Sequence, residues 1–406
     1  MRSNQTIHRK ETNMSDQTTL NSSITPVQLP VLLNDLFEEN RKLEALGTRK
    51  TVPNIQGKPG IGKTQIVKTF AMKKDLGLVL VTPDMLAEVG DLNGLPDIER
   101  LSSGEAITRF RPPDWVYDIL NQTEKKKGCV MLLDDHNRVD PQVMNAEMSV
   151  FQNHRIAGVE LPKGVFIVLT SNPEGGEFLV AEMDEAQKDR IQTFHLQFDP
   201  QSWYCWAESS GINPLILNFS LKYPEALCGK KTTPRSIEAF SHFLNFHPEY
   251  CNALAQMKEG VFDEKIEMVS LRARALLDEE TVGSFFGFLT QDNKLIIPPE
   301  AILNDWPNVK NQLIELSEES LQRTDILGII AQRLALYLTS ENYEPGPSHK
   351  ANLEQFLTDG IVPEDLTMAI VQKLIHAKED TQKLILSDRI YERLNSLLTH
   401  TQTEED

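Results

Sequence analysis

Residues Gly57-Lys58-Pro59-Gly60-Ile61-Gly62-Lys63-Thr64 spell G-x-x-x-x-G-K-T directly behind the apolar run Val52–Ile55. The context constrains the fold more than the spelling does. Glycines let the backbone curl until successive N–H groups point at one anion, and a helix beginning near Lys63 adds the positive end of its dipole. Strand, glycine loop and helix in that order commit this part of the chain to an α/β unit whose loop leaves the end of a buried strand. In such a loop the Lys63 ammonium reaches the β- and γ-phosphates of a bound nucleotide, and the Thr64 hydroxyl ligates Mg²⁺.

The surrounding pattern agrees. Leu78–Val81, Val130–Leu133 and Phe166–Leu169 are further short apolar runs, each followed by turn residues and a helix-like stretch. Strands alternating with helices predict a parallel sheet covered on both faces. Ile156, Val159 and Leu161, interrupted by Gly158 and Pro162, predict a β-hairpin just ahead of the last of these strands. Before the sheet, Leu29, Leu32, Leu33, Leu36 and Phe37 recur at helical spacing from Val27, whereas residues 1–26 are dominated by Ser, Thr, Asn and Gln and predict a disordered tail. After Pro200 helical periodicity takes over. Residues 202–246 are aromatic and compact, Ile326, Ile329, Ile330, Leu334 and Leu338 mark a later amphipathic helix, and another begins near Pro363 with Leu366, Ile370 and Leu374 on one face.

Two strand ends carry the remaining chemistry. Val130–Leu133 runs into Asp134-Asp135, placing two carboxylates at the sheet edge where doubly wound folds bind ligands. Asp134 suits the Mg²⁺ shell, and Asp135 is the candidate base that orients or deprotonates an attacking water. The strand ending in Thr170-Ser171-Asn172-Pro173 brings an amide to the same edge, where Asn172 can hold that water by hydrogen bonding.

Composition removes several alternatives. A formal net charge of −18 argues against a broad nucleic-acid-binding surface and leaves only a local basic groove open. Cys129, Cys205, Cys228 and Cys251 form no C-x-x-C pair, so neither a zinc framework nor a redox couple is indicated. His242 and His247 lie five apart, a spacing that points to structural rather than metal-ligating histidines, and Lys125-Lys126-Lys127 is expected in a solvated loop. No apolar run approaches the ~18 residues of a membrane span, and a cytoplasmic location is expected.

The phosphate loop, Leu-Leu-Asp-Asp-His-Asn-Arg at Leu132–Arg138, the hairpin, Leu-Thr-Ser-Asn-Pro at Leu169–Pro173, and Ala-Gln-Lys-Asp-Arg at Ala186–Arg190 follow one another in an order that resembles the MoxR branch of AAA+ ATPases. Asp91-Leu92-Asn93-Gly94-Leu95-Pro96 and Phe110-Arg111-Pro112 are similar to that branch as well, and the resemblance extends over about residues 27–246. It implies a P-loop AAA+ core at 27–200 and a helical lid at 201–246; beyond the lid, helical periodicity predicts an all-α C-terminal region at 247–406. The resemblance implies sensor-1 duty for Asn172 and an arginine finger at Arg190 that reaches a neighbouring subunit. Arg235, within Thr233-Pro234-Arg235, takes the sensor-2 place on the lid, and Arg138 couples the site to the subunit boundary. An always-charged planar fork at Arg190 and Arg235 suits the stabilisation of a transferring phosphoryl group.

The resemblance further implies an Mg²⁺-dependent ATPase that assembles into a ring, expected to be a hexamer. It implies a protein client as well, with a von Willebrand factor A domain protein as the expected partner. The family usually has glutamate where this chain has Asp135, and a carboxylate held back by one methylene predicts slower hydrolysis. Two other readings stand beside this one, a nucleic-acid-associated loader or helicase accessory and an ATP-gated scaffold with little hydrolysis.

Overall fold

Cys129–Leu133 (β6) and Val165–Ser171 (β9) are buried at every position, a condition met by interior strands of a parallel sheet with helices on both faces. The computed structural model describes residues 23–174, 180–257, 263–317 and 323–393, in two compact units that divide between Asp199 and Pro200. In the first unit six strands form a parallel sheet, in spatial order Ser23–Ile24 (β1), Gln192–Leu196 (β10), Pro53–Gln56 (β2), β9, β6 and Gly77–Val81 (β3). From β2 the chain crosses to the far edge at β3, returns through β6 and β9, and only then places β10 on the other side of β2. The end of β2 is therefore the point where the winding reverses, where such sheets open a crevice.

The period of two along the strands sorts the core into two layers. Val130, Leu132, Phe166 and Val168 face Gln28–Ala45 (α1) and Lys63–Lys73 (α2) through Leu33, Phe37, Val67 and Phe70. Met131, Leu133, Ile167 and Leu169 face Trp115, Val116 and Ile119 of Asp114–Lys125 (α4) together with Val143 and Phe151 of Pro141–Asn153 (α5). Between β3 and α4 lie the short helix Val89–Asn93 (α3) and an exposed antiparallel ribbon, Leu95–Arg100 (β4) against Ala106–Arg111 (β5). That ribbon was not expected from the sequence: its side chains face solvent, so apolar–polar alternation imposed by a core is absent.

The expected hairpin is present in miniature. Arg155–Ile156 (β7) pairs with Val159–Glu160 (β8) across Ala157 and Gly158, whose φ values of 52° and 78° fit the positive-φ pair that a two-residue turn requires. One expectation needs correction. Residues 1–22 of the anticipated tail lie outside the described residues, but order begins before Val27, because Ser23 and Ile24 pair in parallel with His195 and Leu196. An edge strand is held by main-chain bonds, which polar side chains do not prevent, and Ile24 adds a contact to the α1 side of the core.

The second unit is helical among its described residues. Pro200–Ser209 (α7), Pro214–Lys222 (α8) and Pro234–Phe246 (α9) share a core with later helices, as Phe285 on Glu279–Gln291 (α12) meets Phe219 of α8 and Phe240 of α9 edge-on at 5.4 and 5.5 Å. Buried Arg333, on Thr324–Thr339 (α15), pairs with Glu208 of α7. The expected helix beyond Pro363 is also present, as Glu364–Ile375, with the proline just ahead of its first turn. Among the described residues no helix is long and apolar enough to cross a membrane.

Candidate nucleotide site

The phosphate loop is anchored at its start. Gly57 N donates to Ser171 O on β9 at 3.1 Å, and a Cβ on Gly57 would come within 2.9 Å of Leu196 O, so only glycine lets the loop leave between β9 and β10. Gly60 and Gly62 take φ of 78° and 97°, the left-handed region that a larger residue enters at a cost. Lys58 is exposed, whereas Pro59, Gly60, Ile61 and Gly62 are half-buried and lead into α2. Gly62 caps that helix, with no side chain bonding its first amides and no acidic residue in its first turn. The helix start thus offers its donors and its dipole to an anion.

Lys63, 5% exposed, folds back over the loop: its Nζ donates to Gly57 O at 2.7 Å, to Lys58 O at 3.2 Å and to Asn172 Oδ1 at 3.1 Å. One residue on, Thr64 Oγ1 donates to Asp134 Oδ1 at 2.6 Å, so the two expected Mg²⁺ ligands already touch. Thr170 Oγ1 donates to the same carboxylate oxygen at 2.5 Å and accepts from Asp135 N at 2.8 Å. Asp135 itself is left-handed, with φ of 50°. Its Oδ1 accepts from Asn172 Nδ2 at 3.1 Å, and Arg138 Nε lies 3.5 Å from Oδ2. The structure therefore gathers Lys63, Thr64, Asp134, Asp135 and Asn172 into one hydrogen-bonded chain across α2, β6 and β9.

Sequence reasoning missed two members of this assembly. Thr170, near the end of β9, orients both acids, and Asn172 follows just past the end of the same strand. Asn137, fully buried, clasps the main chain of Asn172: its Nδ2 donates to Asn172 O at 2.8 Å, and its Oδ1 accepts from Asn172 N at 3.1 Å. Beside it, His136 Nδ1 stands 3.5 Å from Glu147 Oε2 on α5, with both side chains wholly buried. Burial raises the Glu147 carboxyl above its ordinary range, and the imidazole partly opposes that shift.

The two distant arginines are placed differently. Arg190 follows Glu185–Lys188 (α6); its Nε donates to Gln152 Oε1 at 3.3 Å, its Nη1 donates to Ala186 O, and its own carbonyl accepts from Arg49 Nη2 at 2.8 Å. Its side-chain partners therefore lie on α5 and α6 rather than on the phosphate loop. Arg235 is exposed in the first turn of α9, within the second unit.

The donor set fits Mg²⁺ with a nucleotide. That ion binds through one or two protein oxygens and takes its remaining ligands from water and phosphate, and here one hydroxyl and one carboxylate meet beside an uncapped helix start. Among the described residues no group of three or more His, Cys, Asp or Glu side chains converges as an all-protein metal cage would need.

No family model matches the chain. A stretch of 154 residues is 30% identical to the "Putative chaperone BssE" of Thauera aromatica, covering 36% of this chain and 50% of that protein. The chain thus spans about half the length of the curated relative it matches. It is also similar to the crystal structure of a "putative ATPase" from Cytophaga hutchinsonii, at 19% identity and TM-score 0.31 over 63% of this chain and 79% of that one. Similarity extends to a RuvB point mutant from Thermotoga maritima, at 13% identity and TM-score 0.36 over 73% and 85% of the two chains. The glycine loop on the central strand, the acids and asparagine at the adjacent strand ends, and the helices that follow make this an α/β P-loop core with a mainly helical C-terminal region.

Proposed function

We propose that the protein is an Mg²⁺-dependent ATPase of the MoxR branch that assembles as a ring, a hexamer in the simplest case, and remodels or helps assemble a protein client. The observation that carries the reading is the contact of Thr64 with Asp134 at 2.6 Å, continued through Thr170 to Asp135, Asn172 and Lys63 at one sheet edge. Mg²⁺ bound with ATP would supply charge neutralisation across the β- and γ-phosphates. Thr64 and Asp134 would hold the ion. Lys63 would exchange its loop carbonyls for phosphate oxygens, and the amides at the start of α2 would grip the phosphate chain. Asp135 and Asn172, already bonded to each other, would hold the attacking water between a proton acceptor and an amide.

Arg190 would act on the site of a neighbouring subunit and Arg235 from the lid, each offering a planar cation to the transferring phosphoryl group. A chaperone name on a relative matched over half its length supports a protein client, and a von Willebrand factor A domain protein remains the proposed partner. Lys63→Ala tests the reading. Purified variant should lose ATP turnover, and unchanged hydrolysis would remove the phosphate-loop assignment. Mixing Arg190→Ala chains with Asp135→Asn chains should restore part of the activity by creating interfaces with one intact acid and one intact finger; no recovery at any ratio refutes action in trans.

A further inference from the structure

Helix α5 joins three features that the proposed ATPase reading treats separately. Its 13 residues span about 20 Å. At its start, the turn His136–Arg138 follows Asp135 directly, and the His136 ring is lodged against Glu147 two turns into the helix. The two groups face each other at 3.5 Å, and among the described residues neither side chain hydrogen-bonds to any other group. A buried polar pair so poorly satisfied is a costly way to fill space, and its evident effect is to tie the residue after Asp135 to α5. On either side of Glu147, Asn145 and Gln152 lie seven residues apart, on one face of the helix. Gln187 Nε2, on α6, donates to Asn145 Oδ1 at 2.8 Å, and Arg190 Nε donates to Gln152 Oε1 at 3.3 Å. Gln187 also closes the capping box of α6 with Asp184, so the residue that bonds α5 also fixes the start of the short helix just ahead of Arg190.

We infer that α5 is a rod that sets the presentation of Arg190 to the neighbouring subunit according to the state of the acidic pair in its own subunit. Asn145 and Gln152 are its positioning residues, and the His136–Glu147 pair is its anchor at the acid end. Nucleotide held at Thr64 and Asp134 would fix the Asp135–Arg138 turn, the anchor would pass that constraint to α5, and the two amides would pass it to Arg190. Filling one site would thereby prepare the finger for the next. The inference rests on the proposed nucleotide site and on the trans action of Arg190.

Hydrogen–deuterium exchange of the full chain, with and without a slowly cleaved ATP analogue, separates the two. Binding should protect the loop Gly57–Thr64, and the same addition should protect Glu185–Arg190. In a chain carrying Asn145→Ala and Gln152→Ala, both surface substitutions, protection at the loop should persist while that at Glu185–Arg190 is lost. Turnover should then fall by about 10²-fold, the cost of a catalytic group displaced by an ångström. Restoring an acceptor with Gln152→Glu in place of Gln152→Ala should recover both readouts. Protection at Glu185–Arg190 that survives the double substitution overturns the inference, as does a wild-type chain protected at the loop alone. An unprotected loop removes the nucleotide site and the inference together. Protection at both segments without turnover in the wild type removes the hydrolytic reading and leaves the coupling standing.

Discussion

Asn137→Ala tests how the site is held together. Asn137 is fully buried and makes both of its clasping bonds, at 2.8 and 3.1 Å, to the main chain of Asn172, which is itself fully buried. Alanine removes both partners at once and leaves an N–H and a carbonyl without those bonds in a place water reaches poorly. At roughly 1–3 kcal/mol for each buried group left unsatisfied, less what relaxation recovers, the expected loss is about 3 kcal/mol. For a unit of this size that corresponds to a fall of about 6–12 °C in melting temperature. The assay is a thermal scan with and without nucleotide, since the transition belonging to the phosphate-loop unit is the one ligand binding raises. Asn172 would also lose its register toward Lys63 and Asp135, so turnover should drop in the same variant. A transition lowered by less than about 1 °C, with turnover intact, would show that the clasp neither stabilises the unit nor aims Asn172.

Asp135→Glu should lower turnover rather than raise it, read as steady-state phosphate release. The residue is left-handed at φ of 50°, a conformation aspartate tolerates better than glutamate, and a longer side chain would lose its bond to Asn172; faster turnover would refute this. His154 provides a pH prediction. Burial, reinforced by Lys50 and Arg49 and opposed by Glu44, pulls its imidazole down to about 4. The native state then binds fewer protons than the unfolded chain between that value and the ordinary imidazole range, so the stability it contributes is complete above about 6.5 and is lost as pH falls toward 4. The ceiling is about 3 kcal/mol, and His154→Asn, which suits the left-handed φ at this position, should flatten the pH dependence of chemical denaturation over that window. An unchanged slope would show that another group titrates.

Much of the candidate site was legible because its parts are local. Glycine spacing, two acids ending an apolar run and an amide ending another are short patterns, each tied to a strand end, and a parallel sheet brings strand ends to one edge. Thr170 and Asn137 escaped notice for a different reason. Each matters through a partner 35 or 36 residues away, Asp134 or Asp135 for one and Asn172 for the other, and single polar residues carry no periodic signal of long-range bonds. The β4–β5 ribbon was missed because its side chains are exposed on both faces, and β1 because an edge strand needs only backbone.

By itself, the order of residues determined that the chain would build an α/β unit with a phosphate loop, since glycine geometry and apolar period are imposed within a few residues. Tertiary structure alone decided the strand order around β2, the clasp of Asn137 on Asn172, and the attachment of Arg190 to α5. These depend on which distant polar groups are left facing one another once the apolar faces have packed, and burial then makes their pairing obligatory.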